Sequence, residues 1–286
     1  MTIDEGHRVS EEHHAGRIHD GGVSLIAHKS TSVMYPGVIH MHSDYSHDSL
    51  DPLEVLRDTA IQRGIRFVGM SDHAEDLSEE IFAEYVKHCD SVSDSRVQIV
   101  PGLEFRFAGL KGMHLFALGL RTWITPTTPE EFIEQTRGVA QMTVLAHPVL
   151  ARYNIPSVVL EHIDAIEVWN ANYNTRYLPD PRAIQLFYDV HRQRPNVVAT
   201  VGLDQHDASN DRELRVILPR PADDPIAELK AGRFRNHGRT MEFDSRVTLS
   251  TSQIYGLRVA RRLYDMVERT QDHTVRLLRK VGVDPR

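Results

Sequence analysis

The segment that is most informative about the fold of this chain is Val38-Ile39-His40-Met41-His42-Ser43. A short apolar run leads into two histidines separated by one residue, and such a run is typical of a buried strand. Alternate side chains of a strand share a face, so His40 and His42 can both reach one ion from a single strand end. Because imidazole nitrogen is a common ligand of transition metals, the segment predicts a strand that ends in a metal site.

The same pattern recurs along the chain. Further apolar runs occur at Phe67-Val68-Gly69-Met70, Ile99-Val100, Val144-Leu145 and Val197 to Val201. They are followed by Asp72-His73, Glu104, His147 and Asp204-Gln205-His206, while Ser46-His47-Asp48 and His114 lie between runs. The carboxyl ends of parallel barrel strands meet at one face, so these side chains are expected to converge.

Helix-start signals fill the gaps between the apolar runs. Asp51-Pro52 predicts a helix capped by Asp51, and Gly64 closes that helix. Thr128 and Glu131 form a capping box for a second helix. Strand and helix therefore alternate, and we predict an α/β fold, specifically a distorted TIM-like (β/α)7 barrel with its metal site at the C-terminal ends of the strands.

Three regions are expected along the 286 residues. Residues 1–33 lack periodicity and are predicted to form a flexible leader. Residues 34–245 form the barrel domain, which typically takes about 250 residues. Residues 246–286 form a helical appendage packed on the barrel. Its apolar stripe consists of Ile254, Leu257, Ala260, Leu263 and Val267.

The charge and composition of the chain argue against several classes of partner. The formal charge is -7, so no global basic field attracts nucleic acid, which becomes a second-choice substrate. The single cysteine, Cys89, excludes an internal disulfide framework. No run approaches the roughly 20 apolar residues needed to cross a bilayer, so we expect a cytoplasmic protein without a membrane partner. Oligomeric state is left open.

The candidate ligands are too many for one ion. Nine positions offer an imidazole or a carboxylate: His40, His42, His47, His73, Glu104, His114, His147, Asp204 and His206. About four ligands per ion is the usual demand, and one carboxylate can be shared between ions. The mixed nitrogen and oxygen set therefore predicts two to three divalent ions, with manganese, zinc and iron as the candidates.

These segments together resemble the polymerase and histidinol phosphatase (PHP) superfamily of metal-dependent phosphoesterases. The resemblance rests on Val38 to Ser43, Gly69 to His73, Pro101 to Glu104, His114 to Gly119, Leu145 to Pro148, Ile166 to Asn170 and Gly202 to His206, in the family's order. It covers roughly residues 36–210. No single segment is specific, but the ordered set is.

The resemblance implies a trinuclear site and a provisional division of the ligands. His40, His42, Glu104 and Asp204 would hold the first metal, His47, His73 and His206 the second, and Glu104, His114 and His147 the third, with Glu104 as the bridge. The family often has an aspartate where this chain has His47, followed here by Asp48. Either neighbour can be the ligand, and we favour His47.

The resemblance further implies hydrolysis of a phosphate ester by a metal-activated water, most readily of a small phosphomonoester. Glu104, Asp204 and His206 are the catalytic candidates, and Arg152, Asn170 and Arg176 are the substrate-binding candidates. Three other functions compete with this interpretation. The chain could be an exonuclease or phosphodiesterase of the same superfamily, an amidohydrolase-type enzyme, or a metal-binding module without catalysis. Glu104 and the final Asp-x-His motif favour the phosphoesterase over the amidohydrolase.

Overall fold

The computed structural model describes residues 34–174, 177–210 and 212–280, with side chains through residue 267. The strands are β1 (Tyr35–Met41), β2 (Phe67–Met70), β3 (Asp72–His73), β4 (Gln98–Val100), β5 (Gly102–Arg106), β6 (His114–Leu118), β7 (Met142–Ala146), β8 (Ala165–Asn170), β9 (Val198–Gly202), β10 (Arg215–Leu218), β11 (Arg235–His237) and β12 (Glu242–Asp244). The helices are α1 (Leu53–Gln62), α2 (Glu79–Val92), α3 (Pro129–Thr136), α4 (Ser157–His162), α5 (Pro181–Gln193), α6 (Pro225–Lys230) and α7 (Thr251–Lys280).

The strands form two sheets, which confirms the α/β class. One sheet has the order β12-β11-β10-β1-β2-β4 and the other β3-β5-β6-β7-β8-β9. The chain after β9 lies against β1, since the Leu203 N–H donates to the Ile39 carbonyl at 3.1 Å and the His42 N–H to the Gln205 carbonyl at 3.0 Å. The strands of the described residues do not form one closed sheet, so the seven-stranded barrel stays a prediction.

The direction of β6 corrects the expected parallel arrangement. β6 pairs antiparallel with both β5 and β7, and His114 is its first residue rather than its last. A parallel crossover needs about a dozen residues, whereas only 107–113 join β5 to β6. Gly109 and Gly112 take positive φ angles in this turn, which glycine adopts without a steric penalty.

The central strands are buried on both faces. Every residue of β7, β8 and β9 is buried, which is typical of a sheet covered by helices on its two sides. The largest fully buried side chains include Trp169, Tyr85 and Phe67. Strand ends that emerge from such a core are held rigidly, so they can place side chains accurately.

The helix starts are partly as predicted. α1 begins after Pro52 and has no side-chain cap, because the Asp51 carboxylate accepts the N–H of Ala208 instead. The prediction that Asp51 caps this helix is therefore wrong. In α3, Thr128 accepts the N–H of Glu131 as expected at 3.2 Å, whereas the Glu131 carboxylate reaches back to Thr127.

The structure describes the predicted C-terminal appendage as far as residue 280. The predicted leader, residues 1–33, lies outside the described residues. Helix α7 buries Leu257 in the core, while Leu263 and Val267, further along the predicted stripe, are about half exposed at 55% and 52%. The described helices include none that is long and apolar enough to cross a membrane.

Candidate metal centre

Eight of the nine predicted ligands converge at one place. They come from β1, β3, β5 and β6 and from the residues that follow β1, β7 and β9; these are His40, His42, His73, Glu104, His114, His147, Asp204 and His206. Because β6 is antiparallel, its first residue lies at the same edge as the last residues of its neighbours. His114 therefore reaches the site in spite of the reversed strand.

Glu104 lies at the centre of the cluster. Its Oε1 atom is 3.1 Å from His114 Nδ1 and 3.3 Å from His147 Nε2. The same oxygen is 3.4 Å from His40 Nε2. The other oxygen, Oε2, is 3.2 Å from His73 Nδ1. One buried carboxylate thus borders histidines from all parts of the site.

Asp204 is the second buried carboxylate. Its Oδ1 atom is 3.5 Å from the Nε2 atoms of both His40 and His42. Its Oδ2 atom is 3.8 Å from His147 Nε2. Asp204 and Glu104 therefore share His40 and His147 between them, as two carboxylates that serve adjacent ions would.

Asp48, rather than His47, belongs to the cluster. The Oδ2 atom of Asp48 is 3.2 Å from His73 Nε2 and 3.2 Å from His206 Nε2. His47 is 56% exposed, and its Nδ1 atom is 2.7 Å from Asp76 Oδ2 on the outer side. The geometry therefore favours Asp48 over His47 as the candidate ligand.

The donor atoms fit divalent metal ions. Four groups each offer ligand atoms within 4.8 Å of one another; these are His42, Asp48, His73 and His206; His40, His42 and Glu104; His40, His147 and Asp204; and Glu104, His114 and His147. The buried atoms His40 Nε2, His42 Nε2 and His147 Nδ1 have no hydrogen-bond partner among the described residues. Orphaned buried nitrogens are costly unless an ion binds them.

Three of the candidate ligands have a strained backbone. His40, His147 and Asp204 have φ angles of 64°, 21° and 49°, a region that residues other than glycine rarely enter. His40 lies where the pairing of β1 with β2 shifts register, so a bulge rather than simple alternation aims its side chain. Such strain persists where the surrounding structure imposes a geometry that function needs.

Glu167 holds the ligands from behind. Its Oε1 atom is 2.8 Å from His40 Nδ1, and its Oε2 atom accepts the backbone N–H of His147 at 2.8 Å. With Nδ1 of His40 donating to this carboxylate, Nε2 is the nitrogen that faces Glu104 and Asp204 and that can bind an ion. The sequence contained Glu167 in the strand-end pattern, but its role became visible only in the structure.

Asn170 differs from its predicted place in substrate binding. Its side-chain amide donates to Glu167 at 2.9 Å and to Asp204 at 3.3 Å. Its Oδ1 atom accepts the backbone N–H groups of Asn172 and Tyr173. The side chain is buried and fully engaged, so it positions the ligands and leaves no group free for a substrate.

Asp72 organises the opposite side through two serines. Its carboxylate accepts the backbone N–H of Ser43 at 2.7 Å and the hydroxyl of Ser46 at 2.7 Å. The Ser46 hydroxyl in turn accepts the backbone N–H of His73 at 3.0 Å. Asp72 therefore orients His73 through Ser46 and through the backbone, without contacting the imidazole.

The acidic and imidazole groups of the cluster shift one another's pKa values. Burial raises the pKa of Glu104, but the neighbouring imidazoles of His114, His147, His40 and His73 outweigh it and hold the pKa well below its usual range. Burial lowers the pKa of His40, while Glu167 and Asp204 raise it well above normal. The pKa of Asp204 is lowered as well, so the carboxylates of Glu104 and Asp204 are both anionic, which is the form that binds a cation.

Of the two arginines predicted to bind the substrate, the structure describes only Arg152. Arg152 is exposed, and Arg176 lies outside the described residues. Arg106 instead reaches the cluster, with its Nη2 atom 2.9 Å from His73 Nε2 and its Nη1 atom 3.3 Å from Glu75 Oε1. Tyr173 was also missed; its ring centroid is 4.7 Å from that of His147, and burial and nearby carboxylates raise its pKa to about 12.

Comparison with known proteins places part of the chain. Residues 39–174 match the model of the PHP domain. No curated protein matches the chain. Among solved structures, a candidate metal-dependent phosphoesterase from Bifidobacterium adolescentis ATCC 15703 is 14% identical, with a TM-score of 0.44, over 60% of this chain and 88% of that one. PsfC from Pseudomonas syringae PB-5123 is 14% identical, with a TM-score of 0.46, over 82% and 98%.

Proposed function

We propose that the chain is a metal-dependent phosphoesterase with a site for two to three divalent ions, and the match of residues 39–174 to the PHP domain model supports this proposal. The preferred substrate is a small phosphomonoester. The position of Glu104 carries the proposal, because its two oxygens lie within 3.4 Å of nitrogen atoms of four histidines. A single carboxylate in that position can bridge ions.

The ligand groups suggest three binding positions. The first ion would be bound by His40, His42, Glu104 and Asp204. The second would be bound by Asp48, His73 and His206, and the third by Glu104, His114 and His147. Asp48 replaces His47 in this assignment. Bound divalent ions supply Lewis acidity, which lowers the pKa of a coordinated water and neutralises charge on a phosphoryl group.

Other side chains of the site orient the metal ligands or are available to bind the substrate. Glu167 fixes the ring of His40, and Asp72 fixes His73 through Ser46. Arg106, at 41% exposure on the rim, is our candidate for gripping a phosphate, because its guanidinium can donate paired hydrogen bonds to two oxygens. We prefer it to the exposed Arg152 in that role, while the prediction for Arg176 lies outside the described residues. Asp204 and Glu104 stay anionic and leave proton transfer to water or to His206, which is partly exposed.

Charge at the rim favours a small substrate over a polymer. Asp48, Glu75 and Asp76 border the open side of the cluster, and the chain as a whole carries a formal charge of -7. A nucleic acid backbone would meet repulsion there unless bound ions offset it. The phosphodiesterase and exonuclease functions therefore remain the second candidate.

The experiment combines metal analysis with turnover. Metal content is measured by mass spectrometry, and manganese-dependent phosphate release is measured on phosphomonoesters, phosphodiesters and oligonucleotides. We expect two to three metals per chain and loss of phosphate release in Glu104→Gln. The control Glu84→Gln removes an exposed carboxylate of α2 and should keep both properties. Metal without turnover on any phosphate ester would contradict the phosphoesterase, and absence of metal would contradict the site itself.

A further inference from the structure

A second candidate site lies between α5 and α7. A cavity of about 310 Å³ is lined there by Arg182, Gln185, Arg258, Arg261, Arg262 and Asp265. None of these residues belongs to the metal cluster. The PHP domain match ends at residue 174, so the cavity lies entirely in the part of the chain beyond the match.

The lining is strongly basic in an acidic protein. Four guanidinium groups and one carboxylate, that of Asp265, line the cavity, and among the side chains that the structure describes only Arg182 has a further carboxylate partner, Asp180. The whole chain, by contrast, carries a formal charge of -7. Arginines stay charged at every physiological pH, so such a group repels itself. An anion bound among them would remove this repulsion.

Most donors of these arginines are available. Arg258 donates one hydrogen bond to Gln185 Oε1 at 3.1 Å. The Nε atom of Arg261 is 2.8 Å from Asp265 Oδ1, but this buried N–H makes no well-directed hydrogen bond within the described residues. Arg262 has no ion pair with the side chains described through residue 267. Since a guanidinium carries five N–H donors, the cavity offers many more than it uses.

Arg182 is held in place before any ligand binds. Its guanidinium donates to both oxygens of Asp180, at 3.2 and 3.1 Å, and lies 5.2 Å from the centre of the Tyr153 ring. Asp180 is itself buried and receives the Tyr153 hydroxyl. A preorganised side chain loses less conformational entropy on binding, which favours affinity.

We propose that this cavity binds a phosphate-bearing anion, either inorganic phosphate or the phosphate group of a small metabolite. A phosphoryl group carries up to two negative charges and three or more acceptor oxygens, which matches several convergent guanidinium groups. A carboxylate offers one charge and two oxygens and would leave more donors unused. The volume is at the lower end for small-molecule sites. The proposal is independent of the reaction at the metal centre.

The test measures binding on the full chain after metal has been removed with a chelator, so that the metal centre does not retain phosphate through bound ions. Inorganic phosphate, glycerol 3-phosphate and pyrophosphate are titrated by calorimetry at physiological salt. The double variant Arg258→Gln/Arg262→Gln removes two cavity charges. The control Arg192→Gln removes an exposed arginine near the other end of α5, where it lies 3.5 Å from Asp189.

We expect the double variant to lose about tenfold or more in affinity, since it removes two guanidinium groups that would donate charge-assisted hydrogen bonds to the anion. The control should stay within about twofold, because an exposed pair contributes little. Equal affinities for inorganic phosphate and the ester would identify free phosphate as the ligand, and a tighter ester would identify a metabolite. Unchanged binding in a folded double variant, an equal loss in the control, or no saturable binding of any probe would overturn the proposal.

Discussion

Glu104 and Asp204 set the chemistry of the site at the scale of single residues. Each is buried among imidazoles, and each keeps its pKa below the usual range although burial alone would raise it. The opposing histidines supply the compensation. Replacing either carboxylate would therefore disturb both the ions and the histidine charges around it.

Asp48 and His47 provide a sharp comparison of neighbours. We expect Asp48→Asn to lower metal affinity more than about tenfold, because the carboxylate that lies 3.2 Å from both His73 and His206 loses its charge. His47→Gln should stay within about threefold, since its exposed pair with Asp76 contributes about 0–1 kcal/mol. Metal titrations of both variants measure the difference. The reverse order of effects would restore His47 as the ligand.

Gly202 is required by the group behind the ligands. A Cβ atom at this position would lie 1.6 Å from Glu167 Oε1 and 3.0 Å from the Cβ atom of His40. Glu167 must then move and release His40, so we expect Gly202→Ala to reduce metal affinity about 10–100-fold. Calorimetric metal titration checks this value.

The matched control for that substitution is Gly256→Ala. Gly256 lies in α7, and an added Cβ atom would meet nothing within 4 Å. Alanine is the better helix former by about 1 kcal/mol, so this variant should bind metal normally and be no less stable. Normal metal affinity in Gly202→Ala would show that Glu167 does not control the orientation of His40.

Helix α5 depends on its first residues at the scale of elements. The Asp180 carboxylate caps α5 by accepting the Arg182 N–H at 2.9 Å and also receives the Tyr153 hydroxyl. Tyr153 lies in the loop that follows His147, so the cap ties this helix to the loop after β7. The same carboxylate orients Arg182 towards the basic cavity.

We expect Asp180→Asn to lower the free energy of unfolding by about 1–3 kcal/mol at neutral pH, because a buried charged hydrogen bond is lost. Burial raises the pKa of Asp180, but Arg182 and Tyr153 outweigh it and lower the pKa overall. The carboxylate therefore stabilises the fold above its unfolded pKa of about 3.9, and this contribution disappears as the pH falls through the lower folded pKa.

Denaturant unfolding at several pH values measures this effect. The difference between wild type and Asp180→Asn should shrink below about pH 4. Asp224→Asn is the control, since Asp224 caps α6 at an exposed position and asparagine caps a helix about as well. A difference independent of pH would show that packing, and not the charge, accounts for the loss.

Metal and fold are linked at the scale of the whole molecule. The ligands come from both sheets, with His40 on β1 and His42 directly after it in one, and Glu104 and His114 on β5 and β6 in the other. An ion that binds only the folded chain stabilises it by about 2.7 kcal/mol at a hundred times its dissociation constant. Ions at this position therefore connect the two sheets.

Removal of metal should lower the melting temperature on the order of 5–10 °C, as expected for about 2.7 kcal/mol in a domain of this size. Calorimetric scans with chelator, and again after manganese is restored, measure the shift. Glu104→Gln should show a smaller shift, because it retains fewer ligands. A melting temperature that does not respond to metal would contradict a site that links the sheets.

The sequence by itself determined the α/β class and the local elements. Apolar runs specify buried strands, and Thr128 specifies the start of α3, because these signals act over a few residues. The order of the histidines and acids also predicted a resemblance to the PHP superfamily, and residues 39–174 match the model of the PHP domain. Ligand-type residues at strand ends are readable because strand geometry places them at one edge.

The direction of one strand, the choice between neighbouring ligands and the contacts behind the ligands became visible only in the tertiary structure. The reversal of β6, the choice of Asp48 over His47 and the bond between Glu167 and His40 depend on contacts between residues far apart in the chain. Positive φ angles at His40 and Asp204 are imposed by the packed strands around them, against local preference. Local signals cannot encode such choices, because their free energy comes from partners that only folding brings together.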